Sequence, residues 1–403
     1  MYRCLILLLA LGSQLNLVAQ EEKEFNYYNN QSLFLYETGQ WEQLIPLGKE
    51  SLQQGHDFYY LRMRIGIAYY KLEKYRVAIK HFRHALRFNN NDPVALEFLY
   101  YSYLLSGQEA DALTLYKENQ QYLEKIDAVT TKLINGIYTE GGYKLSNNQV
   151  DEVGGIGFFH IGLSHQISAG LNIYHGYSRV SQEFSSFTEL ETGGNSQGPG
   201  PGGMKTVENK ITYSQDEYYI RGKIMAAKGW MVIPAYHYQA FEDSLNNHVV
   251  SIGLVKNLGI VNIYGAAGFS NVNDSDQTQW TIGTTLYPLG NLNFYLQTNY
   301  TLHDQDDEQS NILFHKIGGR IMEDAWLEAF YGWGDMYNYS EMDAFYVQNI
   351  PDIIESKTGM TLIGMLKQKH KVLIGYVLEN KEQLLTGEAY KHHVIYAGLS
   401  IRF

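Results

Sequence analysis

The sequence predicts an α + β multi-domain protein in which N-terminal α-helical hairpins precede a transmembrane antiparallel β-barrel of about 14 strands, with about 12 or 16 as alternatives. Three observations predict this architecture. Apolar residues have a helical period up to residue 120, and from Thr131 onward the period becomes two. Short and long connections alternate through the second part. The final strand pattern carries apolar residues at alternate positions up to Phe403.

The composition favours a β-rich protein with many aromatic residues. The 403 residues include 38 Gly, 7 Pro and 34 Tyr, and 18% are charged, compared with about 25% in an average soluble protein. The net charge of −12 argues against nucleic acid as a partner.

The first residues predict a secretory signal peptide over 1–19. Arg3 precedes an apolar run at 5–11, and small residues precede a cleavage site after Ala19. A membrane anchor is the less favoured alternative, because this run is shorter than the roughly 18 residues of a spanning helix. Cys4 is the only cysteine, so the mature chain would have no disulfide and no thiol chemistry.

Residues 24–120 contain an internal repeat of helical hairpins. The middle copy places small and aromatic residues where two helices approach closely, and a shift of about 34 residues repeats the pattern. The expected packing residues are Gly66, Tyr69, Ala78, Phe82, Ala85, Tyr103, Ala112 and Tyr116. This pattern resembles the tetratricopeptide repeat family and predicts hairpins near 24–54, 57–89 and 93–120.

The tetratricopeptide resemblance implies a concave surface that docks a partner protein. We therefore expect a protein partner in this groove. A structural spacer packed against the next domain is the alternative, and the resemblance brings no catalytic motif with it.

Residues 131–403 have the pattern of barrel strands, most clearly in the alternating segment NLNFYLQTNYTL at 291–302. Tight connections are expected near 164–168, 227–230, 256–259, 288–291, 322–325 and 367–370. Longer polar connections are expected near 144–151, 181–207, 242–247, 270–277, 303–310, 337–352 and 380–388. This alternation is typical of an outer-membrane barrel with short periplasmic turns and longer external loops.

The last strand predicts which solvent the barrel meets. Leu399, Ile401 and Phe403 form an apolar row that would face outer-membrane lipid. The row resembles the signal by which the barrel-assembly machinery recognises outer-membrane proteins, which implies that machinery as a partner during biogenesis. A closed ring of strands can span lipid because every backbone amide is paired.

The opposite row of each strand would face the lumen. The candidate lumen-lining residues are Tyr174, Arg221, Lys223, Tyr264, Tyr295, Gln297, Lys316, Arg320, Glu328 and Arg402. Tyrosine rings and amides suit a neutral glycan, although the same residues can fill a barrel that carries no substrate. The arginines and Lys223 fall late in strands directed towards the periplasm, so they would form a basic ring at that mouth or pair with carboxylates.

No other pattern predicts a site. The acidic segments 271–277 and 303–309 lack the ligand spacing of a calcium loop, and the adjacent His392 and His393 point to opposite faces of a strand. The Gly/Pro-rich segment 193–205, within the predicted 181–207 loop, would either plug the lumen or lie outside. We expect no catalytic residues, metal or cofactor, and therefore no enzyme.

Tetratricopeptide hairpins followed directly by a barrel resemble the YaiO-like outer-membrane proteins and, more distantly, the exopolysaccharide export porins. The resemblance implies a bacterial outer-membrane location with the N-terminal domain in the periplasm. It implies a conduit or porin-like component of an envelope transport system, with a glycan as one candidate cargo. The alternative is a filled barrel that anchors a larger complex.

Overall fold

The computed structural model describes residues 22–123, 131–146, 153–191, 204–241, 246–306, 308–349, 352–367, 369–384 and 386–403. The predicted signal peptide lies outside these residues. The chain divides into a helical unit, Met1–Asp127 with Leu289–Asn291, and a barrel unit formed by Ala128–Pro288 and Leu292–Phe403. None of the described helices is long and apolar enough to cross a membrane.

The described part of the helical unit contains six α-helices in consecutive pairs. They are α1 (22–37), α2 (Trp41–Gln53), α3 (Tyr59–Lys71), α4 (Tyr75–Phe88), α5 (Pro93–Leu105) and α6 (Glu109–Glu118), followed by a 3-10 turn at Gln120–Tyr122. From α2 to α6, each helix packs against the next one in the chain. The three pairs coincide with the predicted hairpins.

Small residues let the paired helices approach closely. A Cβ added at Gly66 would lie 2.6 Å from a ring carbon of Phe82, so glycine is needed where α3 meets α4. Phe82 is fully buried and stacks on Phe98, with ring centroids 5.4 Å apart. All eight packing residues named from the repeat are buried.

The third helical pair begins with an N-cap. The Asp92 carboxylate accepts a hydrogen bond from the Ala95 amide at 2.7 Å, which satisfies one of the free amides of the first turn of α5. Pro93 follows in that turn, where its missing amide costs little.

The barrel unit contains fourteen long strands and one short hairpin among its described residues. The first strands are β1 (Lys132–Ser146), β2 (Val153–Ser168), β3 (Leu171–Glu191), β4 (Met204–Ala227), β5 (Trp230–Phe241), β6 (Asn246–Leu258), β7 (Val261–Val272) and β8 (Ser275–Leu286). The rest are β9 (Phe294–Gln305), β10 (Glu308–Met322), β11 (Ala325–Met336), β12 (Ser340–Glu341), β13 (Tyr346–Val347), β14 (Ile353–Leu366), β15 (His370–Glu382) and β16 (Ala389–Arg402).

The fourteen long strands form one closed antiparallel barrel, which confirms the predicted fold and strand number. Consecutive strands pair, β11 pairs with β14, and β1 pairs with β16 to close the ring. The short strands β12 and β13 pair only with each other among the described residues. We call the end where β1 begins and β16 finishes the near end, and the opposite end the far end.

Side chains alternate between the lumen and the outer face. In β6, Asn247, Val249 and Ser251 are buried inward. Val250, Ile252 and Leu254 are exposed on the outer face. Large exposed apolar side chains occur around the ring, including Trp280, Ile282, Ile317, Ile374 and Ile395.

The near-end connections at 228–229, 259–260 and 323–324 are tight, as predicted. The tight turn predicted at 164–168 lies at 169–170, and the connection predicted to be tight at 288–291 is longer and spans 287–293.

Several far-end connections are shorter than expected. The predicted loops 270–277 and 303–310 are mostly strand, with turns at 273–274 and near 306. Asn273 and Asp274 adopt positive φ values of 56° and 58°, the conformation that a two-residue hairpin turn requires.

The predicted loop 181–207 is also mostly strand. β3 and β4 stay paired in register from Leu171↔Ile224 to Glu191↔Met204, and residues 206–213 (TVENKITY) are rich in β-forming types. The part at 192–203, which contains most of the Gly/Pro-rich segment, lies outside the described residues.

Candidate functional site: a hairpin inside the barrel

The lumen contains a segment of the chain itself. Residues 337–349, which we call the inner hairpin, follow β11 at the far end and include β12, β13 and the turn between them. They make side-chain contacts with β1, β4, β7, β8 and β14, which are distributed around the ring. This connection was predicted as an external loop, and the structure corrects that prediction.

The turn of the inner hairpin has an unusual backbone. Met342, Asp343 and Ala344 have φ values of 50°, 58° and 63°, and residues with a Cβ seldom adopt this region in succession. Tyr219 donates a hydrogen bond to the Asp343 carbonyl at 3.1 Å. The His237 Nδ1 lies 2.7 Å from the Ala344 carbonyl. These contacts with the barrel wall therefore stabilise a strained turn.

The Asp343 carboxylate is the main polar anchor of this turn. Tyr264 donates a hydrogen bond to its Oδ1 at 2.7 Å, and Arg221 Nη1 lies 4.0 Å from its Oδ2. Val249, Val272 and Ala344 form a small buried apolar cluster beside it. This side of the hairpin is held by both polar and apolar contacts.

A second set of contacts holds the hairpin to β1 and β14. Tyr346 donates a hydrogen bond to Glu140 Oε1 at 2.7 Å, and Tyr138 binds the other oxygen of this carboxylate. Glu341 forms an ion pair with Lys357. The hairpin carboxylates Glu341 and Asp343 therefore both have basic partners on the wall.

Phe345 packs within an aromatic collar on the wall. Its ring centroid lies 4.9 Å from that of His160 and 5.1 Å from that of Tyr219. Tyr138 and Tyr174 complete the collar at 6.4 and 6.3 Å. Both contacts measured at about 5 Å are edge-to-face, an arrangement that aromatic pairs favour.

A cavity of about 1660 Å³ runs alongside the inner hairpin. Its lining extends from Lys223, Thr285 and Gln297 near one end of their strands to Phe241 and Gln383 at the opposite end. Amides, hydroxyls, charged groups, aromatic rings and aliphatic side chains all contribute to this lining. The hairpin therefore narrows the lumen and leaves a space beside it that has both polar and apolar walls.

The structure brings most of the predicted lumen residues to this interior. Arg221, Lys223, Tyr264, Gln297, Lys316 and Glu328 line the cavity. Tyr174 contacts Phe345, and Tyr295 donates a hydrogen bond to Glu328. Arg320 and Arg402 lie on inward rows but are exposed at the near end.

Several important residues were not predicted, namely Glu140, His160, His237, Asp343 and Phe345. The sequence MYNYSEMDAFYV at 336–347 contained a weak signal, because it is richer in aromatic residues than a solvated loop needs to be. Glu140 also occupied an inward position in a strand pattern. Neither signal indicated which strands the segment 336–347 would contact.

Charged side chains also cluster inside the far end. Lys144 Nζ lies 3.5 Å from Glu379 Oε1, and His392 Nδ1 lies 3.7 Å from Glu379 Oε2. His393 faces outward, where Tyr376 lies within 2.7 Å, so the two adjacent histidines do occupy opposite faces. No group of three or more His, Cys, Asp or Glu that could hold a metal occurs in the described ranges.

Solved structures give the following comparisons. A bacterial polysaccharide outer membrane secretin matches with a TM-score of 0.40 and 5% identity over 68% of this chain and 99% of that one. A TodX monoaromatic hydrocarbon channel mutant matches with a TM-score of 0.42 and 9% identity over 66% of this chain and 89% of that one. A MamA mutant matches with a TM-score of 0.23 and 20% identity over 24% of this chain and 72% of that one. No protein-family model and no curated protein matches the sequence.

Proposed function

We propose that this protein is a bacterial outer-membrane channel for polar solutes, in which the inner hairpin forms the constriction. The observation that carries the proposal is the cavity beside the hairpin, whose lining spans most of the barrel length. Tyrosines and amides along the cavity are compatible with a glycan as cargo. We propose no enzymatic activity and no cofactor.

The outer face of the barrel supports the membrane location. Exposed residues such as Ile252, Trp280, Ile282 and Ile374 are costly in water and favourable in lipid. The helical unit precedes β1 in the chain, so we place the near end in the periplasm. The apolar row of Leu399, Ile401 and Phe403 would then serve the barrel-assembly machinery.

The test is the conductance of the purified protein in planar bilayers. We would compare the wild type with a variant in which 338–348 is replaced by a short Gly-Ser linker. Wild type should give small unitary currents, and the variant several-fold larger ones, because the constriction is removed. Replacing 386–388, which follow β15 at the far end and do not line the cavity, by Ser-Gly-Ser is the control and should leave the conductance unchanged.

A heat-modifiable gel shift would establish that each variant is folded. If folded wild type and folded 338–348 variant both fail to conduct, the channel proposal is wrong.

The second candidate is a filled barrel that anchors a larger complex. The hairpin contacts on several sides of the lumen favour it, and so do exposed aromatic residues on the helices, including Tyr27, Phe34 and Tyr60. On this proposal the helical hairpins dock an envelope protein. Gentle detergent extraction should recover that partner from wild type and lose it when 24–120 is deleted. Recovery of no partner from either form would argue against the anchor.

A further inference from the structure

Inward-facing charge is unevenly distributed along the lumen. We define the near-end vestibule by the charged inward residues of the near half: Lys223, Lys316, Arg320, Glu328, Lys371 and Arg402. Lys223, Lys316 and Glu328 line the cavity itself. Arg320 shares the inward row of Lys316, Lys371 pairs with Ser400, and Arg402 shares the inward row of Tyr396. Five of these six side chains are basic.

The single vestibule carboxylate is already neutralised. Lys316 Nζ lies 3.1 Å from Glu328 Oε2, and Tyr295 donates a hydrogen bond to the same carboxylate. Lys371 is close enough to interact electrostatically with Arg402, with Lys223 and with the same carboxylate of Glu328. Basic groups from opposite parts of the ring therefore face a shared space.

The hairpin does not reverse this charge. Its carboxylates Glu341 and Asp343 are paired with Lys357 and Arg221. The near-end turns carry Lys228, Lys367 and Lys369 against Glu323 and Asp324, so they add no net negative charge. The positive vestibule contrasts with the net charge of −12 for the whole chain.

We propose that the near-end vestibule makes the channel selective for anions, and that its cargo carries carboxylate or phosphate groups. A ring of basic side chains in a confined aqueous space raises the local concentration of anions and excludes cations. This inference rests on the proposed channel function and names its substrate class.

The test is the reversal potential of the reconstituted protein in a potassium chloride gradient. Wild type should have an anion-to-cation permeability ratio above one. The double variant Lys223→Glu/Lys371→Glu should bring the ratio below one, and Lys223→Gln/Lys371→Gln should give an intermediate value. Replacing chloride by acetate or by inorganic phosphate then distinguishes the two oxyanion chemistries.

Lys256→Glu is the matched control. Lys256 lies on the outer face at the same end, 4.6 Å from the Trp230 ring centroid, so its charge reversal should not change the ratio. A conducting wild type with a ratio of one or less overturns the anion inference and leaves the channel intact. So does a ratio that the double Glu variant leaves unchanged. Absence of conductance in both wild type and the 338–348 variant overturns the channel proposal itself.

Discussion

At the scale of single residues, His81 shows how burial changes protonation. It lies in α4, with its ring stacked on Tyr69 at a centroid distance of 5.5 Å, and it is 9% exposed. Its Nδ1 has no hydrogen-bond partner among the described residues. Burial, reinforced by nearby Arg62, lowers the pKa of His81 from 6.5 to about 4.

This shift predicts an acid-sensitive helical unit. Because the folded pKa is depressed, the unfolded chain binds a proton first as the pH falls. Stability should be full above pH 6.5 and should decline towards pH 4, by at most about 3 kcal/mol. Urea unfolding of the full chain, followed by the helical circular dichroism signal at several pH values, measures this change.

His81→Phe is the control, because it keeps the aromatic stack and removes the titration. Its stability should fall less over the same pH range, and the remaining decline would come from His84, whose pKa burial also lowers. The Asp57 carboxyl, whose pKa the hydrogen bond from Arg62 lowers below 3.8, would act only at lower pH. Parallel pH profiles for the wild type and His81→Phe would contradict the assignment of this acid sensitivity to His81.

At the scale of elements, the inner hairpin combines a strained turn with a dense set of wall contacts. Positive φ at three successive residues costs on the order of 1–3 kcal/mol each, so the inserted state depends on those contacts. We therefore expect the hairpin to fluctuate between inserted and displaced positions.

A disulfide tether tests this motion. Ala344 packs with Val272 in one buried cluster, so Ala344→Cys/Val272→Cys in a Cys4→Ser background should form a bridge on oxidation. Oxidation should suppress the larger conductance levels, and reduction should restore them. The two single-cysteine variants should not respond. Equal currents in the oxidised and reduced double variant would mean that the hairpin is static.

The sequence predicted the wall of this site better than its contents. Alternation within β9 identifies which side chains face inward, because side-chain direction in a strand has a fixed period. The inner hairpin has no such period. Whether it folds inward depends on distant partners such as Glu140, Tyr264 and Lys357. The positions of these partners around the ring are set when the barrel closes, and the local sequence pattern does not reveal them. The prediction of strand ends was also wrong at 181–191. Its polar composition predicted a loop, but the segment is strand because β3 and β4 pair there.

At the scale of the whole molecule, the two units have separate interiors. Phe82 is fully buried in the helical unit, whereas Phe88 in the same helix is 53% exposed. Phe82→Ala should destabilise the helical unit by about 3–5 kcal/mol, and Phe88→Ala by no more than about 0.5 kcal/mol. The barrel should be unaffected by both.

Two readouts on the detergent-solubilised full chain test this independence. Urea titration of the helical dichroism follows the helical unit, and the heat-modifiable gel shift follows the barrel. A Phe82→Ala variant whose barrel loses its gel shift at the same urea concentration as its helices would show that the units unfold together.

The seam between β1 and β16 has a consequence for the time course of folding. Gly136 pairs with Arg402 across it, and the other twelve barrel strands lie between them in the chain. The residues of such a contact are far apart in the sequence, so the chain must lose the conformational entropy of a long loop before the contact can form. Until then β1 and β16 each present an open edge that can pair with another chain. The slowest and most aggregation-sensitive step should therefore come last, when the two outermost strands meet.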